Sequence, residues 1–414
     1  MKIAIIGAGP SGMMAAIAAK NKNNEVHIFD KNEKIGKKLF ITGKGRCNIT
    51  NNKSMSEVME NICTNKKFLF SSFNVFTNID IINLLESYGL KTKVERGDRV
   101  FPESDKSSDV LKTFEKILKD KKVKVHLHSE ITEIKHINGH FTLKGNLGYE
   151  LGEMAFDRLV IATGGVSYPT TGSTGDGHVF AKSFGHKIIN LKPALTGIIL
   201  IDGFVKELKG ISLRNVSLGY TIKNKKHLDF GELVFTDKGI SGPIVLSASS
   251  KMTKDITKVK DLFIDLKAAL DMETLDKRMI RELSENPTKN ISNILEKLTI
   301  KALVPIILEM VGIDKEVKAH QITKAQRREI TETFKRFKLS FKSLDDVKYA
   351  IITSGGINVK EINPSTMESK LVKGLYFAGE LLDVDAYTGG YNLQIAYSTG
   401  YLAGISCSNG GENV

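Results

Sequence analysis

The first thirty residues constrain the fold more than any other part of the chain. They form a short apolar strand, a turn containing Gly7, Gly9 and Gly12, a helix of small residues, and a second strand that ends at Asp30. Gly7 permits the tight turn, Gly9 lets the backbone approach a pyrophosphate, and Gly12 lets the helix lie close to the sheet. Because a helix N-terminus offers amide donors and positive potential, the segment predicts a dinucleotide site, with Asp30 placed to accept hydrogen bonds from the adenosine ribose.

Two later stretches indicate which dinucleotide this turn serves. A buried strand ends in Ala162-Thr163-Gly164-Gly165, where small residues allow the chain to return beside an ADP group. Another strand stops at Gly379-Glu380, and a helix is predicted to begin near Gly390-Tyr391-Asn392. A carboxylate at a strand end suits ribitol hydroxyls, and helix amides suit the N1/O2 edge of an isoalloxazine, where negative charge develops on reduction. A nicotinamide enzyme would not need this C-terminal strand and helix at the cofactor, so the pattern favours FAD.

The order of predicted elements divides the chain. The N-terminal part alternates strands with helices, including one predicted helix from Phe68 to Tyr88, which is typical of a doubly wound α/β domain. From about Leu191 short strands follow one another without long helices, which indicates an inserted sheet or small barrel, and helical patterns then run from Met272 to Met310. At Tyr349 the α/β pattern resumes, and the tail from Ser408 is predicted to be disordered.

Composition limits the class of protein. An apolar content of 41% and a charged content of 26% are ordinary for a globular chain, and no apolar run approaches the roughly eighteen residues that a membrane span requires. The three cysteines, Cys47, Cys63 and Cys407, are widely separated and form no CxxC motif. They predict neither a disulfide framework nor a metal site, and they favour a reducing cytoplasm.

The net charge of +13 raises the question of a nucleic-acid partner. The densest basic stretch, Lys324 to Lys342, carries Ile330, Phe334 and Phe337 at helical spacing, so its charges are predicted to lie on a solvated face. The remaining lysine excess is spread along the chain. A soluble, anion-attracting surface is the favoured interpretation, and neither a nucleic-acid partner nor a membrane is expected.

A set of motifs gives nearly the whole chain a resemblance to a known family. These stretches include Gly45-Arg46-Cys47-Asn48-Ile49-Thr50-Asn51 after Lys37-Lys38, Arg99-Val100-Phe101-Pro102, Gly165-Val166-Ser167-Tyr168-Pro169, Thr353-Ser354-Gly355-Gly356 and Thr388-Gly389-Gly390-Tyr391-Asn392. They resemble bacterial flavoproteins described as NAD(P)/FAD-dependent oxidoreductases or as aminoacetone oxidase-like FAD-binding enzymes. The resemblance implies noncovalently bound FAD. Amine oxidation and the reduction of steroid-type enones have both been attributed to members.

The resemblance also implies an α/β fold in which a Rossmann-like FAD-binding domain carries an inserted β-barrel and a small helical domain. The predicted FAD-binding domain is discontinuous and comprises residues 1–190 and 350–414. Residues 191–270 and 335–349 are assigned to the barrel, and residues 271–334 to the helical domain. The insertion is expected to determine substrate specificity.

The predicted cofactor-binding residues follow from these motifs. They are Gly7, Gly9, Pro10, Ser11, Gly12, Asp30, Lys31, Lys38, Gly43, Arg46, Cys47, Asn48, Ile131, Ala162, Thr163, Gly164, Gly165, Gly379, Glu380, Gly390, Tyr391 and Asn392. No catalytic residue is assigned, and Arg46 and Tyr168 are the candidates. Arg46 would pair with pyrophosphate or with an anionic reduced flavin, or else hold the loop as a structural arginine. Tyr168 would donate a proton, or form a hinge with Pro169; Cys47 is expected to be a packed residue.

The predicted chemistry is hydride transfer between the flavin and an unidentified small organic substrate. Because the sequence has no second GxGxxG motif and no CxxC, electrons would come from an organic substrate or from NAD(P)H that docks transiently. Two alternatives stay open: a basic flavoprotein that binds or acts on RNA, and a flavin-bearing protein without turnover. The substrate and the oligomeric state are not predicted.

Overall fold

The computed structural model describes residues 1–148 and 150–409. Two compact units divide the chain: Met1–Pro193 together with the segment from Val347 onward, and the inserted unit Ala194–Asp346. The predicted limits of the FAD-binding domain, residues 190 and 350, each differ by three residues from these bounds. Residues 410–414 of the predicted disordered tail lie outside the described part of the chain.

The strands and helices are as follows. The strands are β1 (Lys2–Ile6), β2 (Glu25–Phe29), β3 (Thr50–Asn51), β4 (Ile62–Thr64), β5 (Thr92–Glu95), β6 (Arg99–Pro102), β7 (Lys124–His126), β8 (Ser129–Ile137), β9 (His140–Leu147), β10 (Glu150–Phe156), β11 (Arg158–Ile161), β12 (Ile188–Ala194), β13 (Ile198–Leu200), β14 (Ser212–Ile222), β15 (Lys225–Phe235), β16 (Gly239–Ser241), β17 (Val259–Asp265), β18 (Phe337–Lys338), β19 (Phe341–Leu344), β20 (Ile352–Ile357), β21 (Leu375–Phe377) and β22 (Asp385–Ala386). The helices are α1 (Pro10–Ala19), α2 (Lys37–Ile41), α3 (Met55–Glu60), α4 (Phe70–Val75), α5 (Asn78–Ser87), α6 (Ser107–Asp120), α7 (Asp176–Ser183), α8 (Pro243–Met252), α9 (Met272–Glu285), α10 (Ile291–Leu295), α11 (Val304–Met310), α12 (Lys324–Lys335) and α13 (Tyr391–Ser408).

A parallel sheet organises the first unit. Its five strands lie in the order β21-β11-β1-β2-β7, with β1 between β11 and β2. Ile3, Ala4 and Ile5 of β1 are fully buried, and because successive side chains alternate, both faces of the strand are covered. Because parallel strands end at the same edge, the turns after β1, β11 and β21 lie together, where ligands bind in sheets of this kind. The predicted α/β fold class is confirmed.

Helices α1 and α13 pack side by side through small residues. A Cβ added at Gly400 would overlap the carbonyl oxygen of Ser11, and one added at Gly404 would overlap that of Ala15. Both contacts advance by four residues in the same direction, so the two helices run parallel. Their N-termini therefore point to the same end of the molecule. Gly400 lies nine residues into α13 but meets Ser11, only one residue into α1, so α13 starts about 12 Å beyond the start of α1.

The predicted helix from Phe68 to Tyr88 is broken in the structure. Helix α4 ends at Val75, and Thr77 starts α5 with a capping box in which Thr77 and Asp80 bond each other's backbone amides. That cap satisfies amide donors which a continuous helix would bond internally, so the chain begins a new helix there. By length and composition alone, the stretch from Lys66 to Ser87 is apolar enough to cross a membrane. In the structure, 44% of its most apolar part is buried inside the protein.

An antiparallel sheet organises the inserted unit. Its seven strands lie in the order β18-β17-β14-β15-β16-β13-β19. Only Leu339 and Ser340 separate the two edge strands in sequence, so the sheet curls until its edges adjoin. Helices α9 to α12 share one hydrophobic core with this sheet, in which Phe334 of α12 and Ile264 of β17 both lie fully buried. The segment 271–334 is thus part of a single compact unit with the sheet rather than a unit of its own.

Candidate functional site

The glycine turn after β1 has the geometry that its motif predicts. Gly7 has a φ of +101°, and an added Cβ there would lie 2.5 Å from the carbonyl oxygen of Ala162. A Cβ on Gly12 would overlap the carbonyl oxygen of Gly7, so both positions require glycine. At Gly9, by contrast, an added Cβ meets no atom within 4 Å. Gly9 precedes Pro10 at the start of α1, which has no side-chain cap, so backbone amides face open space there.

The end of β2 supports the turn. The Asp30 carboxylate accepts hydrogen bonds from the Ala8 amide at 2.7 Å and from the Asn32 backbone and side-chain amides, both at 2.9 Å. A carboxylate has about four acceptor positions, so one stays available to a ligand. Lys31 points instead to the segment before α7, where its ammonium contacts Asp176 at 2.5 Å and also Thr174.

Two further predicted positions adjoin this edge of the sheet. Ile131 is buried in β8, two residues after Ser129, whose amide bonds the Asp30 carbonyl oxygen at 2.8 Å. Gly379 follows β21 with a φ of +77°, and a Cβ there would lie 2.5 Å from the Ser11 hydroxyl oxygen. The turns after β2 and β21 therefore both abut the glycine turn, although their residues are distant in sequence.

The strand end at Ala162 presents a buried polar atom without a partner. The Ala162 amide bonds the Ile6 carbonyl at 2.8 Å, which places the next residue, Thr163, beside the glycine turn. Among the described residues, the Thr163 hydroxyl oxygen is buried and forms no hydrogen bond. Gly164 follows with a φ of +77° and Gly165 is buried. A buried hydroxyl with no protein partner fits a site that a polar ligand completes.

Glu380 lies at the centre of a hydrogen-bonded network. Its Oε2 is 2.7 Å from the Lys38 ammonium, and its Oε1 accepts from the Thr353 amide at 2.8 Å and the Ser167 hydroxyl at 3.0 Å. The Lys38 ammonium also donates to the Ser167 hydroxyl at 2.7 Å. Both charged side chains are about one-fifth exposed, so the carboxylate is fixed but still reachable. Ser167 and Thr353 were absent from the predicted site, although both lie in the motifs that carry the family resemblance.

The loop before β3 reaches the first turn of α13. Gly43, Lys44 and Cys47 all have φ values near +60°, an unusual run that includes two non-glycine residues. Asn48, with its amide nitrogen toward Val100 and Thr50, accepts a hydrogen bond from the Gly390 amide at 3.0 Å. This contact connects the loop with the N-terminus of α13.

The start of α13 is held in place by its own residues. Gly390 has a φ of +97°, and a Cβ there would lie 2.5 Å from the Thr50 backbone. Asn392 bonds both the amide and the carbonyl of Ala386, at 3.0 and 2.9 Å. Tyr391 is buried, and burial raises the pKa of its phenol. The first turn of α13 is therefore rigidly placed, as an anion-binding helix end requires.

Of the two candidate catalytic residues, Arg46 has its side chain in ion pairs and Tyr168 lies in a turn. Arg46 bonds Asp105 at 2.8 Å and Glu95, and its guanidinium lies 4.2 Å from the centre of the Phe101 ring. Two carboxylates neutralise this charge, which favours the structural interpretation of Arg46. Tyr168 has a φ of +50°, and its backbone amide bonds the Lys348 carbonyl at 3.1 Å, as expected of a turn residue.

Cys47 behaves as a packed residue. It is fully buried, and burial raises the pKa of its thiol to about 12. A thiol with this pKa stays protonated at neutral pH and is a poor nucleophile. Within residues 1–148 and 150–409, no group of three or more His, Cys, Asp or Glu side chains could hold a metal ion.

The open backbone at Gly9, the partnerless hydroxyl of Thr163 and the strand-end carboxylates fit a dinucleotide. The family model and a full-length relative identify the class of protein as an FAD-dependent oxidoreductase. The chain belongs to the family described as HI0933-like protein Rossmann domain, whose model matches residues 1–406.

Three comparisons place the chain among known proteins. It is 31% identical over 411 residues to the 3-dehydro-bile acid delta(4,6)-reductase of Clostridium scindens, covering 97% of this chain and 98% of that protein. It is 30% identical over 407 residues to the ribosomal RNA dihydrouridine synthase of Haemophilus influenzae, with 98% of each chain covered. The 3-ketosteroid-delta4-(5alpha)-dehydrogenase of Rhodococcus jostii has a similar structure, with a TM-score of 0.52 at 12% identity over 98% of this chain and 96% of that one. The structural likeness shows the fold alone.

Proposed function

We propose that this protein reduces a carbon–carbon double bond conjugated to a carbonyl group. One observation supports this choice: two full-length relatives are named for reactions that fit the same description. A delta(4,6)-reductase acting on a 3-dehydro-bile acid saturates double bonds conjugated to a ketone. A dihydrouridine synthase saturates the C5=C6 bond of uracil, which is conjugated to the C4 carbonyl. The two substrates differ in size and polarity but share the bond that is reduced.

The residues at the sheet edge would hold FAD without a covalent bond, and FAD supplies the hydride chemistry when it is bound. The free amides at Gly9 and the start of α1 would bind the pyrophosphate. Asp30 would accept from the adenosine ribose through the position that its protein partners leave open. Glu380 would accept from ribitol hydroxyls, while its contact with the Lys38 ammonium at 2.7 Å holds the carboxylate in place. The first turn of α13 would face the pyrimidine edge of the isoalloxazine.

The substrate would gain a hydride at the carbon β to the carbonyl and a proton at the α carbon. Two electrons must then be supplied for each turnover, and we propose NAD(P)H, docking transiently, as their source. The proton donor stays unassigned: Arg46 is ion-paired, and Tyr168 is kept as the candidate. The three free cysteines are consistent with a reducing cytoplasm, which we retain as the proposed compartment.

Anaerobic stopped-flow absorbance at the flavin band tests this proposal. NADH or NADPH should bleach the FAD-loaded protein, and a cyclic enone added afterwards should restore the oxidised spectrum. A matched saturated ketone should leave the flavin reduced, which controls for simple ligand binding. Bleaching by a primary amine, with no reoxidation by any enone, would instead establish an amine oxidase and overturn the proposal.

A further inference from the structure

The inserted unit carries an exposed apolar strip on one face of its sheet. On β15, Leu228 and Phe230 are 62% and 63% exposed, although they alternate with residues on the covered face. Gly231 on that covered face meets Ile244 of α8, and Asp229 there bonds Lys251 of α8 at 2.6 Å. Helix α8 therefore covers the inner face, and the outer face of β15 has no packing partner among the described residues.

The strip continues across the neighbouring strands. Leu228 lies opposite Gly219 of β14, which lies opposite Phe263 of β17. A Cβ on Gly219 would overlap the Phe263 ring, so this ring lies flat over the glycine and extends toward Leu228. The Arg336 guanidinium stacks 4.0 Å from the centre of the same ring. A continuous aromatic and aliphatic surface results, with a planar cation on top of it.

Three cations border this surface. Lys226 precedes Leu228 on the same face of β15, Lys338 lies opposite Phe263, and Arg336 stacks on Phe263. Within residues 1–148 and 150–409, none of the three forms an ion pair with a carboxylate. Of the neighbouring acids, Asp265 is neutralised by Lys335 at 2.6 Å, Glu232 lies beyond Phe230, and Asp261 accepts from the Thr221 hydroxyl. The strip is therefore apolar in its centre, with three cations at its rim and the exposed Glu232 beyond Phe230.

We propose that this outer strip, formed by Lys226, Leu228, Phe230, Phe263, Arg336 and Lys338, is a docking surface for single-stranded RNA. Bases stack on exposed aromatic and guanidinium planes, and phosphates pair with unpaired cations, which is the combination that this face offers. A lipid surface would use the positive charge but has no need of a flat stacking plane. The inference rests on the proposed reductase for its role, because it makes a uracil ring within RNA the conjugated substrate.

Fluorescence anisotropy with a fluorescein-labelled twelve-nucleotide uridylate tests the docking surface in the full-length, FAD-loaded protein. Binding should weaken with rising KCl, with a log–log slope of about −2 for three cations on a single strand. Phe230→Ala should weaken binding about tenfold through lost stacking. The double variant Arg336→Gln/Lys338→Gln should flatten the slope to about −0.7. Ile201→Ala and Lys277→Gln, which remove an exposed apolar side chain and an exposed cation elsewhere in the same unit, should bind like the unaltered protein.

Three outcomes would overturn the docking surface. The first is the absence of anisotropy change at 50 mM KCl, and the second is equal affinity of Phe230→Ala and the unaltered protein. The third is capture by phosphatidylglycerol vesicles without any affinity for the oligonucleotide. The cyclic-enone assay separates this result from the reductase itself, since Phe230→Ala should reduce a free enone at the normal rate. RNA binding without enone turnover would contradict the reductase and leave the docking surface standing.

Discussion

At the scale of single residues, local motifs and long-range partners differ in how well sequence reveals them. Gly7 and Gly12 could be assigned from spacing alone, because the turn and the close helix contact are both set within a dozen residues. The Lys38–Glu380 pair joins positions 342 residues apart, so no local pattern contains it. Arg46 was predicted either to pair with the cofactor or to hold its loop, and the two carboxylates that favour the second role are seen only in the tertiary structure.

Gly9 offers a test at this scale. Gly9→Ala should leave the thermal stability of the FAD-free protein unchanged, because its Cβ would meet no protein atom within 4 Å. The same methyl group would occupy the space proposed for the pyrophosphate, so the Kd for FAD should rise at least tenfold, or about 1.4 kcal/mol. Titration of the FAD-free protein with FAD, followed by flavin fluorescence, measures the change. Unaltered FAD affinity would show that the pyrophosphate binds elsewhere.

At the scale of elements, the sequence predicted the existence of helices better than their limits and contacts. The predicted helix from Phe68 was continuous because its apolar pattern is continuous, whereas the cap at Thr77 breaks it. Helix α13 was recognised only at its glycine-rich start. It is buried nearly all round, so it has no polar face from which the face that meets α1 could be deduced. The small residues Gly400 and Gly404 are the signal that would have located that contact.

The α1–α13 contact predicts an unusual response to alanine. Replacing glycine within a helix by alanine normally stabilises it by about 1 kcal/mol. Gly400→Ala should instead destabilise the protein by about 1–3 kcal/mol, because its Cβ would overlap the Ser11 carbonyl and force the helices apart. Urea unfolding measures the free-energy difference. Gly9→Ala is the matched comparison, since it adds the same methyl group where no protein atom lies within 4 Å. A stabilised Gly400→Ala variant would contradict the packing of α13 against α1.

At the scale of the whole molecule, the order of elements was predictable and the partition of the insertion was not. Alternating strands and helices identify the parallel sheet, and their return after Tyr349 identifies a discontinuous domain. Helices α9 to α12 looked separable in sequence because they are consecutive. They share a core with strands that precede and follow them, and this sharing depends on packing between residues distant in sequence.

Several buried histidines predict how stability depends on pH. Burial lowers the pKa values of His27, His126, His178 and His186, so the folded protein keeps them neutral where the unfolded chain would protonate them. Their stabilising contribution is complete above the unfolded pKa of about 6.5 and is lost as pH falls through the lower folded values. The free energy of unfolding in urea should therefore decline as the pH falls below about 6.5.

Histidines and carboxylates affect the free energy of unfolding in different pH ranges. Glu25, whose hydrogen bonds to Lys124 and His27 lower its pKa to about 2, affects stability only at more acid pH. His27 forms a hydrogen bond with His126 at 2.9 Å. Because His27→Gln removes one of these buried histidines, the free energy of unfolding should fall less steeply as the pH decreases below about 6.5. A free energy of unfolding that stays constant from pH 7.5 to 4.5 would contradict the prediction.

The position of α13 after the insertion has a consequence for how the protein is made. The ribosome releases β1, the glycine turn and α1 first, but Glu380 and α13 follow only after the whole of Ala194–Asp346 has been translated. At 5–20 residues per second, translation of this insertion alone adds roughly eight to thirty seconds to the delay. During that time the small-residue face of α1 has no partner, so FAD can be captured only late in synthesis. Nascent chains that stall within the insertion would expose this face and become targets for chaperones and proteases.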